Sequence, residues 1–267
     1  MTASASNIRP LLTSLALTVT ALLFSGDWTS ISAQSMTEME ALEVLYGDRG
    51  QAADSYNFSD VMTYDMVIRS TASDTATAGL LRVLYNPGDS AFAIDFSAAG
   101  LRSITLCDVA QHVVVMLSSV EELRLGQYMD FPSSPSDSAM FRRVSGDREI
   151  AGCLNNHFFL EEDPYIIELW SCNEANEDHV RMGRLWPQFM RSMQRMATGN
   201  HWGLPMRWTS TDTRNGTEPQ IELELISIAP LKDAETVILA DYIFQVSPRD
   251  EMIQRMERER TQGKAGE

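Results

Sequence analysis

Apolar and polar residues alternate with period two along most of the chain. In residues 61–69, Met62, Tyr64, Met66 and Ile68 fall on one side, and Thr63, Asp65 and Arg69 on the other, the signature of a strand. Residues 79–85 continue the pattern, and Asn86, Pro87, Gly88 and Asp89 form a turn. Phe92, Ile94 and Phe96 then alternate with Ala93 and Asp95, and residues 98–100 turn the chain again. Residues 103–107 and 112–117 are two more expected strands, joined by residues 108–111. Connections this short join antiparallel neighbours, because parallel strands need crossovers of a dozen residues or more. Residues 125–139 are rich in Ser and Pro and are expected to be an exposed loop. Residues 150–160 and 165–172 are expected to form a hairpin around residues 161–164. Residues 204–211 and 220–228 form another around Asn215 and Gly216, and a last strand is expected near residues 241–245.

The period changes to that of a helix in two main places. Met39, Leu42 and Tyr46 predict a short amphipathic helix over residues 35–46. Met182, Leu185, Trp186, Phe189, Met193 and Met196 form a stripe over residues 177–198, with a break, or a second helix starting, expected at Pro187. Residues 248–267 are expected to be a charged C-terminal helix and tail.

The N-terminal residues look different from the rest. Residues 1–10 carry Arg9 and no acid, residues 11–24 are apolar apart from scattered Ser and Thr, and Ala33 offers a small residue for cleavage. This order predicts a cleavable signal peptide over residues 1–33. Its apolar run is shorter than the ~20 residues a membrane span needs. Residues 34–247 are then expected to be a single β-rich domain, exported to the periplasm or outside the cell and without stable membrane insertion once the signal is removed.

Charge narrows the partners. Lys plus Arg number 21 against 37 Asp plus Glu, a net charge of −16. Phosphate backbones are held by clustered cations, so no nucleic-acid partner is expected. The oligomeric state stays open. Of the three cysteines, the expected hairpin register, with 160 opposite 165, sets Cys153 directly opposite Cys172. A disulfide is therefore expected there, with Cys107 free; the alternative is three ordinary buried thiols.

Candidate chemistry is sparse. Among His112, His157, His179 and His201, none belongs to a nucleophile or zinc motif. The same register places His157 opposite Glu168, either a cross-strand contact or the only arguable acid–base pair. The carboxylates near residues 161–163 and 174–178 are separated by the length of a strand, so no metal site and no cofactor are expected. Arg181, Arg184, Arg191 and Arg195 are either a solvated helix face or a contact for an anionic headgroup. The methionine-rich stripe is either the core side of a helix or a flexible cover for an apolar ligand.

Residues 145–153 (SGDREIAGC), the strand ending in Ile167, Glu168, Leu169 and Trp170, and Gly203, Leu204 and Pro205 opening a later strand resemble an exported bacterial family, the domain of unknown function numbered 4412. That family is similar in architecture to the lipoprotein carriers LolA and LolB. The chain departs from it at Asn155, where the family often has Cys. The resemblance implies an α+β, β-rich fold in which a strongly curved antiparallel half-barrel of about nine to eleven strands carries helices on its concave face. The expected function is a non-catalytic envelope protein that binds an apolar ligand such as an acyl chain, a lipid or a hydrophobic protein segment. Its expected lining is Tyr64, Met66, Ile68, Phe92, Ile94 and Phe96 from strands, with Met182, Phe189, Met193 and Met196 from the helix. The alternatives are a structural or interaction protein of the envelope with a filled core and, third, a hydrolase using His157 and Glu168.

Overall fold

The computed structural model describes residues 52–70, 75–98, 100–120, 122–129, 141–189, 203–214, 216 and 218–244. Residues 1–33, the expected helix at 35–46 and the tail beyond 247 lie outside them. Among the described residues twelve strands are formed: β1 (Ser55–Ser70), β2 (Thr75–Tyr85), β3 (Ala91–Ala98), β4 (Leu101–Asp108), β5 (Val113–Val120), β6 (Leu123–Met129), β7 (Arg142–Ile150), β8 (Cys153–Glu162), β9 (Tyr165–Cys172), β10 (Leu204–Asp212), β11 (Ile221–Ile238) and β12 (Ile243–Phe244). They hydrogen-bond in the order β12-β6-β5-β4-β3-β2-β1-β11-β10-β9-β8-β7. The β-rich, mostly antiparallel expectation holds; the strongly curved half-barrel does not. The row has two ends, and the sheet is neither closed nor strongly curled. Among the described residues one α-helix is present, α1 (Glu177–Leu185), followed by a 3₁₀ turn at Trp186–Phe189.

By compactness the chain divides into two units, and β1, β2 and β11 each give part of their length to both. One unit holds the described residues within 52–63, 79–131 and 227–244. On one face of its sheet, Leu84, Ala93, Leu106 and Val115 stand in a cross-strand row within a core that includes Tyr56, Phe58, Ile104, Leu117, Val237 and Leu239. Asp95 lies on that face and is 3% exposed. Arg82 and Arg102 both bond its carboxylate, Arg102 at 2.9 and 3.0 Å, and both reach Glu235 of β11 at 2.9 and 2.8 Å. Two guanidiniums between two carboxylates leave no net charge, the condition under which a carboxylate can be buried. The Asp95 bonds in turn hold the Arg102 guanidinium above its ordinary pKa. At the end of the unit, Phe244 covers Gly126 and packs on Tyr128, ring centroids 5.1 Å apart. Any side chain at position 126 would occupy the place of that ring.

The other unit holds the described residues within 64–78 and 132–226. Its strands differ from expectation in two places, and those of the first unit in one, where part of the expected 125–139 loop is strand because β6 runs to Met129. Ile150 ends β7 rather than opening β8, because Ala151 and Gly152 both have positive φ (49° and 76°) and form a two-residue hairpin turn. Asp163 and Pro164 alone turn the next hairpin, so Glu162 pairs with Tyr165 and Leu160 with Ile167. The register is therefore two residues away from the expected one: Cys172 faces Asn155, and His157 faces Trp170. Cys153 and Cys172 are nonetheless bonded, diagonally, with Cα atoms 6.0 Å apart, because diagonal neighbours in a twisted pair come within disulfide reach. Cys107, in the first-described unit, is free and fully buried, and burial pushes its thiol pKa well up.

These positions predict a thiol count. With Ellman's reagent at pH 8 the native protein should show no reactive thiol, because Cys107 is enclosed and protonated. The unfolded protein should show one, and the unfolded, reduced protein all three cysteines. Three thiols before reduction would contradict the pairing. Reducing the disulfide, which spans 19 residues, should lower stability by ~3 kcal/mol in denaturant titration.

Candidate functional site

The two faces of the second unit have opposite characters. On one, His157, Trp170, Arg207 and Glu224 form a single cross-strand row. The His157 ring stacks on Trp170 at 4.3 Å between centroids, with the planes 4° apart, and the Arg207 guanidinium lies 5.3 Å from the same indole. Arg207 pairs with Glu222 at 3.2 Å, and Arg69 joins Glu222 from β1. His157 Nε2 is 3.2 Å from Glu168 Oε1, so the expected pair meets, diagonally rather than directly across. Its imidazole is committed to Trp170 and Glu168, the arrangement of a cross-strand ladder. His112 sits in the turn before β5 and His179 in α1, while His201 is outside the described residues. Among the described residues no group of three or more His, Cys, Asp or Glu is placed to hold a metal.

The other face is apolar. Arg69 points to the ladder side, so alternation sets Tyr64, Met66 and Ile68 of β1 on the opposite side. Trp208 of β10 stands across from Leu223 on one side and Leu169 on the other. Ser171 stands across from Pro205, next to a bulge in β10.

A short roof packs against this face. Asn176 caps α1 by accepting a hydrogen bond from the Asp178 backbone N–H at 2.8 Å. Met182 and Gly183 then fall on the buried side, and Pro187, which has no N–H to continue the helix, lies in the 3₁₀ turn. The α-helix thus ends before Pro187, and whether a second helix follows lies outside the described residues. Trp186 packs on Tyr64 with ring centroids 5.3 Å apart, and the Tyr64 hydroxyl donates to the Pro205 carbonyl at 3.2 Å. Gly183 lets α1 come close: a Cβ there would stand 2.8 Å from Pro205 Cδ and 3.0 Å from Leu204 Cα. Met182 and Trp186 are fully buried, Tyr64, Met66 and Phe189 nearly so, and Ile68 is half-buried.

The expected lining therefore divides. Tyr64, Met66, Ile68, Met182 and Phe189 belong to this unit. Phe92, Ile94 and Phe96 belong to the other, where they are buried on the face opposite Ala93 and Asp95. Met193 and Met196 lie outside the described residues, as do Arg191 and Arg195. Arg181 pairs loosely with Asp178 at 3.8 Å and has one buried guanidinium nitrogen, while Arg184 is exposed. Trp208 and Ser171 were not expected in the lining, although the alternation of residues 204–211 already sets Trp208 opposite Arg207.

No family model matches the chain, and no curated protein matches it. Solved structures with a distant likeness include two crystal forms of PNGF-II. They have TM-scores of 0.37 at 10% and 11% identity, over 70% and 66% of this chain and 31% and 28% of those chains. The chain thus spans about a third of PNGF-II. A third is a putative outer membrane lipoprotein-sorting protein domain from Vibrio parahaemolyticus, with TM-score 0.28 at 9% identity over 72% of this chain and 92% of that one. At TM-scores this low, the likenesses fix neither ligand nor activity. No helix among the described residues is long and apolar enough to cross a membrane.

The seating of the roof can be tested at its tightest point. Gly183→Ala should gain ~1 kcal/mol of helix propensity. It should nevertheless lower stability by a net ~1–2 kcal/mol, since the methyl meets a proline ring and backbone. Thermal unfolding checks this; a stabilised variant would mean that α1 does not seat on Leu204 and Pro205.

Proposed function

We propose that the protein is a non-catalytic, exported envelope protein that takes up an apolar chain between the Tyr64–Met66–Ile68 face and the α1–3₁₀ roof. The observation that carries this reading is the make-up of that contact. The face is apolar across four strands, and the roof meets it with Met182, Trp186 and Phe189 on one helical turn and a proline break. Methionine side chains repack around varied apolar partners at low cost, and a short helix followed by a 3₁₀ turn can shift as a piece. The opposite face of the same unit is a row of committed ion pairs and stacked rings. An acyl chain, a lipid tail or a hydrophobic protein segment fits the first face and not the second. The proposal rests on this unit alone.

The rival reading is a structural or interaction protein whose core is simply full, and the complete burial of Met182 and Trp186 favours it. One titration separates the two. A fluorescent fatty-acid ester should bind the protein saturably and be displaced by unlabelled lipid. Ile68→Asp, at a half-buried position, should weaken that binding at least about tenfold while shifting the melting temperature little, since an unpaired charge is costly in an apolar contact. A protein that binds no probe has a filled core, and the rival reading then stands.

A further inference from the structure

We propose that the polar end of the bound ligand is an uncharged hydrogen-bond acceptor, an ester or amide carbonyl, received by Trp186, Trp208 and Ser171; this rests on the apolar-ligand reading above. The Trp186 and Trp208 indole nitrogens and the Ser171 hydroxyl are buried and have no hydrogen-bond partner among the described residues. The three residues are 0–1% exposed. Leaving a buried donor unmet is costly, so native proteins pair nearly all of them.

The three residues are linked through strand pairing and Tyr64. Ser171 stands across from Pro205, the Pro205 carbonyl accepts from Tyr64, and the Tyr64 ring packs on Trp186. Trp208 stands across from Leu169, two residues before Ser171 on the same face. The apolar face therefore carries one polar spot, under the roof and around Pro205.

The chemistry of that spot selects its ligand. Two indole N–H groups can only donate and a serine hydroxyl can donate, so the complementary group is an acceptor. The side chains of the spot itself (Tyr64, Ser171, Trp186, Trp208) include no cation, and Arg181 of the roof, one of whose guanidinium nitrogens is buried, already faces Asp178 at 3.8 Å. A carboxylate there would lose its hydration without gaining a counter-ion. A carbonyl of an acyl ester or amide keeps its hydrogen bonds and brings no charge. The site should thus prefer esterified or amide-linked acyl chains to free fatty acids and to plain hydrocarbon.

Displacement of a fluorescent acyl ester tests this with three competitors of equal chain length: methyl laurate, laurate and dodecane. Methyl laurate should compete at about tenfold lower concentration than either of the others at pH 8. Ser171→Ala and Trp208→Phe should each reduce the ester-over-dodecane preference severalfold, with thermal unfolding confirming that both variants fold. Equal competition by all three, preference for laurate, or an unchanged preference in both variants would overturn the ester assignment while leaving the apolar-ligand reading in place. Absence of binding by any probe would overturn both.

Discussion

The structure depends on one constraint: the central strands are buried on both faces. Ala91–Phe96 and Ser103–Asp108 are each six consecutive buried residues, so neither face of β3 or β4 can be left to water. On one face the cover includes the long second half of β11 and the residues after it, through Val237, Leu239 and Phe244. Burial on that face extends to Asp95, and a lone carboxylate there would be costly. Arg82, Arg102 and Glu235 answer it within a single network. Because Glu235 belongs to β11, the same network ties the covering segment to the strands it covers.

The second unit handles its two faces differently. One face stays polar by arranging its rings and charges in rows, with His157, Trp170 and Arg207 stacked edge-up from the sheet and Glu222 shared between Arg69 and Arg207. The other is apolar and needs a roof, which α1 and the 3₁₀ turn supply by close approach at Gly183. Ligand chemistry follows from that asymmetry. On the first face Arg69 and Arg207 share Glu222, whereas on the second the Trp186, Trp208 and Ser171 donors have no hydrogen-bond partner among the described residues.

Much of this could be read from the chain. Period-two alternation located β1 to β5 and β8 to β10, and the stripe ending in Met182, Trp186 and Phe189 marked the buried side of α1. The failures have local causes. Glu161 and Glu162 look like turn residues, yet they extend β8, and the tighter turn at Asp163 and Pro164 moved the whole hairpin register by two. Ala151 is not a residue that announces a positive φ, so the turn before Cys153 was hidden. The cysteine pairing survived the register change because a disulfide can span a diagonal. The polar spot around Pro205 was out of reach, because whether an indole N–H has a partner depends on neighbours contributed by β1, β9, β10 and the roof together. The same holds for Asp95, whose partners Arg82 and Arg102 are shared with Glu235, 140 residues further along the chain.

The central claim is that an acyl chain lies against Trp186 between the β1 face and the roof. Bromine on an acyl chain quenches tryptophan emission only at contact distance, so a dibrominated acyl ester reports that placement directly. The account predicts strong, saturable quenching of the native protein and loss of most of the quenched component in Trp186→Phe. Emission no lower with the brominated ester than with its unbrominated counterpart, at saturating concentration, would contradict it.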